Sequence, residues 1–121
     1  PVILLAEDTP FFARTMQGYL ESGGYEVILA KNGQVAWELL QRKKVDMVIS
    51  DIEMPVMSGM ELVREIRADE KLRRMPVFAL TALAGEKKKE QGLRAGFDRY
   101  VFKLDRLGLV EIVGEVLQKQ G

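Results

Sequence analysis

The feature that most constrains this chain is a fivefold recurrence of short apolar runs, each followed by a segment with helical spacing. The runs are VILLA (2–6), EVILA (26–30), DMVIS (46–50), VFALTA (77–82) and RYVFK (99–103). They are nearly continuous in Val, Ile, Leu, Met and Phe, as is typical of strands covered on both faces. Five strand–helix repeats in 121 residues predict a single α/β domain over residues 1–121, with helices on both faces of a parallel sheet.

The segments between these runs carry apolar residues three and four positions apart, which indicates amphipathic helices. The stripes are Phe12, Met16, Tyr19 and Leu20; Val35, Ala36, Leu39 and Leu40; Leu62, Val63 and Ile66; and Leu109, Ile112, Val113, Val116 and Leu117. The fourth segment, GEKKKEQGLRAG (85–96), differs because it has three consecutive lysines and few apolar residues. We therefore expect that helix to be solvated and weakly docked.

Composition excludes several classes of function. The 18 basic and 18 acidic side chains balance, so there is no electrostatic case for direct binding to nucleic acid or to an acidic membrane surface. No apolar run approaches the roughly 18 residues of a membrane-spanning helix. The chain has no His and no Cys, which excludes Ser-His and Cys-His nucleophile pairs and metal sites built from thiolates or imidazoles. The lack of cysteine and of a leader-like start predicts a cytoplasmic protein.

Chemically capable side chains follow the predicted strands, at the points where the strands end. Glu7 and Asp8 follow the first strand, Asp51 and Glu53 the third, Thr81 ends the fourth and Lys103 the fifth. In an open parallel sheet, ligands bind outside the carboxyl ends of the strands. The sequence therefore predicts that these side chains share one site.

Several carboxylates at one edge need a compensating cation. Two of them ~5 Å apart repel by about 3 kcal/mol at an effective dielectric constant near 20. Oxygen ligands alone suit Mg²⁺, which takes one or two carboxylates together with phosphate oxygens. Glu7, Asp8 and Asp51 are the candidate ligands, with a backbone carbonyl after Asp51. Lys103 and Thr81 are candidate partners for phosphate oxygens.

Each of these residues also has an ordinary structural interpretation. Asp8-Thr9-Pro10 is a suitable start for the first helix, Thr81 is a suitable cap for the fourth, and Lys103 is compatible with a surface cation. Their joint placement at successive strand ends favours a functional site over separate structural roles.

With these residues assembled, the chain resembles the receiver domain of two-component response regulators along its full length. Glu7 and Asp8 match the acidic pair and Asp51 the phosphoacceptor, within DIEMPVMSG (51–59). Thr81 and Ala82 match the switch hydroxyl and its small neighbour, Tyr100 the switch aromatic, and Lys103 the family's lysine. The resemblance implies a flavodoxin-like (βα)5 fold with strand order 2-1-3-4-5.

The resemblance also implies a mechanism. Asp51 accepts a phosphoryl group from the phosphohistidine of a histidine kinase or phosphotransfer domain, with Mg²⁺ (or Mn²⁺ in its place) bound by Glu7, Asp8, Asp51 and the Glu53 carbonyl. Thr81 and Tyr100 then move, and the face formed by helix 4, strand 5 and helix 5 changes its downstream partner. A phosphorylation-dependent homodimer is compatible with this family. The isolated domain is expected to be no enzyme beyond its own phosphorylation and autodephosphorylation.

Two positions depart from the family pattern. Leu104 follows Lys103, where the family usually has a proline, often after a cis bond. A non-proline cis bond costs about 2.5–4 kcal/mol, so we expect a trans bond and a differently shaped loop. Glu53 lies two residues after Asp51, where a carboxylate can approach Mg²⁺ directly or contact Lys103.

Three other classes of protein predict different features at the same residues. A Mg²⁺-dependent phosphohydrolase with an Asp nucleophile predicts D-x-D and an inserted cap, whereas this chain has D-I-E and no room for a cap. A Rossmann nucleotide binder predicts G-x-G-x-x-G where this chain has EDTPFF. A degenerate receiver acting only as an interaction module predicts loss of the acceptor, acidic pair or lysine.

KLDR (103–106) and the preceding AGFDRYV (95–101) resemble receivers fused to chemotaxis-type histidine kinases, so a stand-alone receiver and a part of a hybrid kinase are both compatible with the sequence.

Overall fold

The computed structural model shows five strands and five helices in strict alternation. It describes the backbone of residues 1–81, 86–103 and 106–120, and their side chains except those of 86–89, 102, 106–107 and 118–120. The elements are β1 (Val2–Ala6), α1 (Pro10–Ser22), β2 (Glu26–Ala30), α2 (Gly33–Arg42), β3 (Met47–Asp51), α3 (Gly59–Ala68), β4 (Val77–Thr81), α4 (Glu86–Ala95), β5 (Arg99–Phe102) and α5 (Arg106–Gln120).

All five strands are parallel and form one sheet in the order β2-β1-β3-β4-β5. This order confirms the predicted doubly wound, flavodoxin-like fold. The chain moves outward from β1 to one edge, returns to β3 beside β1, and then continues to the other edge. The change of direction lies between β1 and β3, so the carboxyl ends of these two strands mark the expected ligand crevice.

Alternation along the strands sends side chains into two separate cores. On one side, Ile3 and Leu5 pack with Met16 and Leu20 of α1 and with buried residues of α5. On the other side, Leu4 and Ala6 pack with α2 and α3. Successive strand residues point to opposite faces of the sheet. Because a core lies on each face, the strands are apolar at successive positions and do not alternate with polar residues. The predicted helix stripes are confirmed, since each supplies buried residues to one of these cores.

Strand β2 differs from the prediction that both faces of every strand are covered. Val27 and Ile28 are only half-buried, and Leu29 is 38 % exposed. β2 is an edge strand with a single neighbour, β1, and the flanking helices cover it incompletely. Continuous apolar composition therefore indicated a strand here but overestimated its burial.

Strand β3 begins and ends one residue later than predicted. Asp46 lies before it, where its backbone N–H donates to the Val2 carbonyl at 2.8 Å and its side chain accepts from the Val2 N–H at 2.7 Å. Asp51 is the last residue of β3 and pairs with Leu80 of β4. The backbone of Asp51 is therefore held within the sheet, which restricts the positions that its carboxylate can take.

Helix α4 is as solvated as its composition predicts, within the part whose side chains are described. Glu90, Gln91 and Arg94 are exposed, and Leu93 is 54 % exposed. Its buried residues there are the small Gly92 and Ala95. The helix thus contributes little apolar area to the core.

Arg67, near the end of α3, joins the segments that precede β4 and β5. Its guanidinium donates to the carbonyls of Gly96, Arg73 and Met75 and to the Asp98 carboxylate, all at 2.7–2.9 Å. The same Asp98 oxygen accepts from the Val77 N–H at 2.8 Å. These bonds hold the amino-terminal end of this half of the sheet, opposite the strand ends that carry the predicted site residues.

Candidate phosphorylation site

The register of the sheet brings the acidic residues together. Ala6 pairs with Ser50, so the next residues along the two strands, Glu7 and Asp51, lie side by side. Carboxylate oxygens of Glu7, Asp8 and Asp51 all lie within 4.8 Å of one another. Residues 44 positions apart in the sequence thus become neighbours because β1 and β3 are adjacent parallel strands.

Lys103 reaches this acidic cluster from the end of β5. Its backbone N–H donates to the Thr81 carbonyl at 2.8 Å, which holds it beside the end of β4. Its ammonium nitrogen, Nζ, lies 3.0 Å from Asp51 Oδ2 and 3.0 Å from Glu7 Oε2. The side chains of all three residues are largely removed from solvent, with Lys103 only 10 % exposed. The interpretation of Lys103 as a surface cation is therefore wrong.

Burial and charge shift the pKa values of this group in a consistent way. Burial raises the pKa of Glu7, and the negative charge of Asp51 adds to that, while the hydrogen bond from Lys103 opposes it without cancelling it. Burial lowers the pKa of Lys103, but its bonds to Glu7 and Asp51 outweigh that effect and leave it raised. One ammonium thus stabilises several carboxylates incompletely, which favours a second cation.

The donor set fits a hard divalent cation such as Mg²⁺. Lys103 donates a hydrogen bond to Glu7 Oε1 at 3.2 Å. Glu7 Oε2 is buried, and no hydrogen bond reaches it from the part of the chain that the structure describes; its contact with Lys103 is electrostatic only. The ammonium beside this buried oxygen is shared with Asp51, so the burial of the carboxylate is incompletely compensated, and a metal ion in contact with the three acidic residues would compensate it further. A ligand set made only of oxygens does not suit the softer metals that select Cys or His.

The first helix begins without using the acidic pair as a cap. Thr9 is the N-cap of α1, its side chain makes no capping bond, and Pro10 occupies the first turn. The Thr9 N–H instead donates to Glu7 Oε1 at 3.1 Å. This bond orients the Glu7 carboxylate, and Asp8 stays exposed next to it.

The remaining predicted residues are placed as follows. Thr81 is buried at the end of β4. Glu53 is exposed, and its N–H donates to Asp51 Oδ1 at 3.4 Å. Tyr100 is half-buried, with its ring 6.5 Å from that of Phe97. Ala82, the cap interpretation of Thr81, and the loop and peptide bond at Leu104 concern residues outside the described part of the chain.

Two side-chain contacts were not predicted. Asn32 is 8 % exposed, and its side chain caps α2 by accepting from the Val35 N–H at 2.8 Å. Phe12 was assigned only to the apolar stripe of α1, yet Lys103 Nζ lies 4.6 Å from the centre of its ring. The Asn-Gly pair before a helix signals the cap, whereas no local signal indicates a contact between residues 91 positions apart.

Comparison with known proteins identifies the family. The model of the response regulator receiver domain matches residues 3–113, and the chain belongs to that family. Receiver domains are regulatory domains of two-component systems rather than classical enzymes, and accepting a phosphoryl group is their general role.

Individual relatives agree with this assignment. The polar-differentiation response regulator DivK of Brucella anthropi is 31% identical over 84% of this chain and 82% of its own length. The gliding motility regulatory protein of Myxococcus xanthus is 31% identical over 97% of this chain, which spans 15% of that protein. The receiver domain of the sensor histidine kinase PA1611 from Pseudomonas aeruginosa, solved with magnesium in its active-site cleft, is 37% identical over 94% of each chain, with a TM-score of 0.87.

Within the described residues, no helix combines the length and apolar character needed to cross a membrane.

Proposed function

We propose that this chain is a phosphoacceptor switch in which Asp51 receives a phosphoryl group from the phosphohistidine of a histidine kinase or phosphotransfer domain. The observation that supports this proposal most directly is the position of the Asp51 carboxylate. Asp51 ends β3 within a cluster of three acidic residues, and its carboxylate accepts a hydrogen bond from Lys103 at 3.0 Å. We extend the proposal to the whole of residues 1–121 as one receiver domain, acting in the cytoplasm.

The proposed chemistry is an in-line transfer. An Asp51 carboxylate oxygen attacks phosphorus, the P–O bond forms as the P–N bond to histidine breaks, and the imidazole leaves with the electron pair and takes up a proton. Glu7, Asp8, Asp51 and the Glu53 carbonyl would hold Mg²⁺, or Mn²⁺ in its place; such an ion neutralises charge on the phosphoryl oxygens. Lys103 exchanges its carboxylate partner for a phosphoryl oxygen, and the Thr81 hydroxyl donates to another.

The proposed switch follows from the added charge. Phosphorylation changes Asp51 from about −1 to nearly −2 at neutral pH, which attracts Thr81 and Lys103 toward the new oxygens. We propose that Ala82 and Tyr100 follow, and that the face formed by α4, β5 and α5 then binds a downstream protein or a second copy of the chain. The small buried contribution of α4 supports its role as the element that shifts.

The lack of a side chain at Gly92 leaves room for the Tyr100 hydroxyl. A Cβ at this position would overlap the Tyr100 hydroxyl and lie 2.7 Å from the ring carbon that bears it. Replacement of Gly92 by alanine is expected to displace the Tyr100 ring. Because the overlapping atoms are the far end of a half-buried side chain, the cost should lie near the lower end of the roughly 1–3 kcal/mol of overpacking, and the helix preference of alanine offsets roughly 0.5–1 kcal/mol of it.

A double-mutant cycle separates the two effects. In a Tyr100→Ala background the overlap is gone, so Gly92→Ala should stabilise the chain, as measured by urea unfolding. A destabilisation of the same size in both backgrounds would contradict the proposed contact between Gly92 and Tyr100.

The proposed function is tested by Mg²⁺-dependent phosphorylation with phosphoramidate, read by intact mass, on the wild type and on Asp51→Asn. We expect one phosphoryl adduct that requires Mg²⁺ and is absent from the variant. Asp46→Asn is the matched control, because Asp46 lies at the opposite end of β3, and it should be phosphorylated normally. A folded wild type that binds Mg²⁺ but forms no adduct would contradict the proposal and favour an interaction module that works without phosphorylation.

A further inference from the structure

Lys103 has a third contact besides its two carboxylate partners. Its Nζ lies over the face of the Phe12 ring, 4.6 Å from the ring centre. An ammonium within about 6 Å of an aromatic centroid is attracted by the negative charge density of the ring face. Phe12 lies in the first turns of α1, half-buried, and its ring packs edge-on against Phe11 at 5.4 Å. Phe12 therefore contacts a second aromatic ring as well as the ammonium.

The ring contact differs from the other two in one important respect. The oxygens that Lys103 contacts belong to Glu7 and Asp51, two of the three residues that could bind a divalent cation. A metal ion and the ammonium therefore compete for the same carboxylates. The phenyl ring has no affinity for a hydrated Mg²⁺ comparable with that of carboxylate oxygens, so the metal does not compete with Lys103 for the ring.

We propose that Phe12 is a positioning residue for Lys103: its ring holds the ammonium beside Asp51 while Glu7 and Asp51 turn their oxygens to the metal. This inference rests on the proposed function for the role of Lys103 in phosphoryl transfer. A preorganised cation at the acceptor stabilises developing charge without reorganisation during the reaction. Loss of the ring leaves Lys103 free to move away from the phosphoryl group.

A packing role and a cation-binding role for Phe12 predict different effects of substitution. If Phe12 only fills space in the apolar stripe of α1, leucine or a fluorinated phenylalanine of nearly the same shape replaces it without loss. If the ring attracts the ammonium, the rate depends on the electron density of the ring face, which fluorine withdraws.

The decisive experiment varies that density at a single position. Phe12 is replaced site-specifically by phenylalanines with one and with three ring fluorines, and by Leu and Trp. Phosphorylation by phosphoramidate at saturating Mg²⁺ is measured together with Mg²⁺ affinity. We expect the rate to fall stepwise with fluorine number, by about five- to tenfold for the trifluorinated ring and for Leu, while Trp retains it and Mg²⁺ affinity changes little. A rate independent of fluorination would overturn the inference.

A second readout needs no phosphorylation. The Cε protons of Lys103 should show an upfield ring-current shift in NMR spectra, which persists when Mg²⁺ is added and disappears in Phe12→Leu. Loss of the shift on addition of Mg²⁺ would overturn the inference. If the wild type shows a persistent shift but no phosphorylation, the contact stands and the proposed function fails; if all variants are phosphorylated equally, the function stands and the role of Phe12 fails.

Discussion

Replacing Gly59 by alanine is expected to destabilise the domain by about 3 kcal/mol or more, at the upper end of overpacking effects. Gly59 is the first residue of α3, and its N–H donates to the Ile52 carbonyl at 2.8 Å. A Cβ there would overlap the Asp51 carbonyl oxygen and lie 2.9 Å from the Asp51 carbonyl carbon and 3.0 Å from Ile52 Cα. These are backbone atoms of β3 and the loop after it, so they cannot rotate away as a side chain would.

The Gly59→Ala prediction has a matched control within the same chain. Gly18 lies exposed in α1, and a Cβ there would meet nothing within 4 Å. Gly18→Ala should therefore stabilise by roughly 0.5–1 kcal/mol through helix propensity. Urea unfolding followed by the fluorescence of Trp37 measures both variants. Equal effects of the two substitutions would show that the close approach of α3 to β3 does not exist.

The overlap at Gly59 also has a functional consequence. Relief of the clash must move either the start of α3 or the end of β3, and the latter carries Asp51. We therefore expect the folded fraction of Gly59→Ala to be phosphorylated more slowly than wild type under the proposed function, at conditions where the remaining stability keeps it folded.

Lys103→Met is the second substitution with a large expected effect, and the size of its effect on stability depends on whether the metal is present. In EDTA the variant should lose about 3 kcal/mol of stability, because removal of one partner from a buried ion pair leaves an uncompensated charge. Here the charges are those of Glu7 and Asp51, both mostly buried. Mg²⁺ should recover much of the loss and should bind the variant more tightly than wild type, since the competing ammonium is gone. Phosphorylation should nevertheless fall by about 10²–10³-fold, the usual cost of removing one charge-stabilising donor.

Two further variants make the Lys103 prediction specific. Glu7→Gln in the Lys103→Met background should restore stability in EDTA, because burial of the Glu7 charge is the main cost left behind. Arg99→Met removes an ion pair with Glu115 whose side chains are 49 % and 45 % exposed, and it should cost less than about 1 kcal/mol. A Lys103→Met chain that matched the wild type in both EDTA stability and Mg²⁺ affinity would contradict the described ion pairs.

Most of the fold was predictable because its signals are local. Short continuous apolar runs such as VILLA indicate strands covered on both faces, and the stripe of α5, with a period of about 3.6 residues, indicates a helix. The exposure of Leu29 was not predictable, since the run EVILA has the composition of a central strand. Whether a strand lies at the edge depends on the order of the whole sheet, which no five-residue window contains.

In the candidate site too, the sequence predicted some features and the tertiary structure was needed for others. Strand ends followed by Glu7, Asp8, Asp51 and Lys103 indicated that these residues meet, because parallel strands place their carboxyl ends at one edge of the sheet. The spacing did not reveal that Lys103 is buried and bonded to both Glu7 and Asp51, or that Phe12 lies beneath its ammonium. Those contacts depend on side-chain directions and on how α1 packs against the sheet.

The amino-acid sequence alone determined the alternation of strands and helices, the set of oxygen and ammonium groups available for chemistry, and the family resemblance carried by Asp51 and its partners. Only the tertiary structure decided which carboxylate oxygens share one ammonium, that Glu7 Oε2 is left without a hydrogen bond among the described residues, and that Gly59 must lack a side chain. The physical reason is the separation along the sequence of the residues that interact. Periodicity and turn chemistry depend on residues a few positions apart, whereas burial, ion pairing and close backbone approach join residues that are distant in the chain.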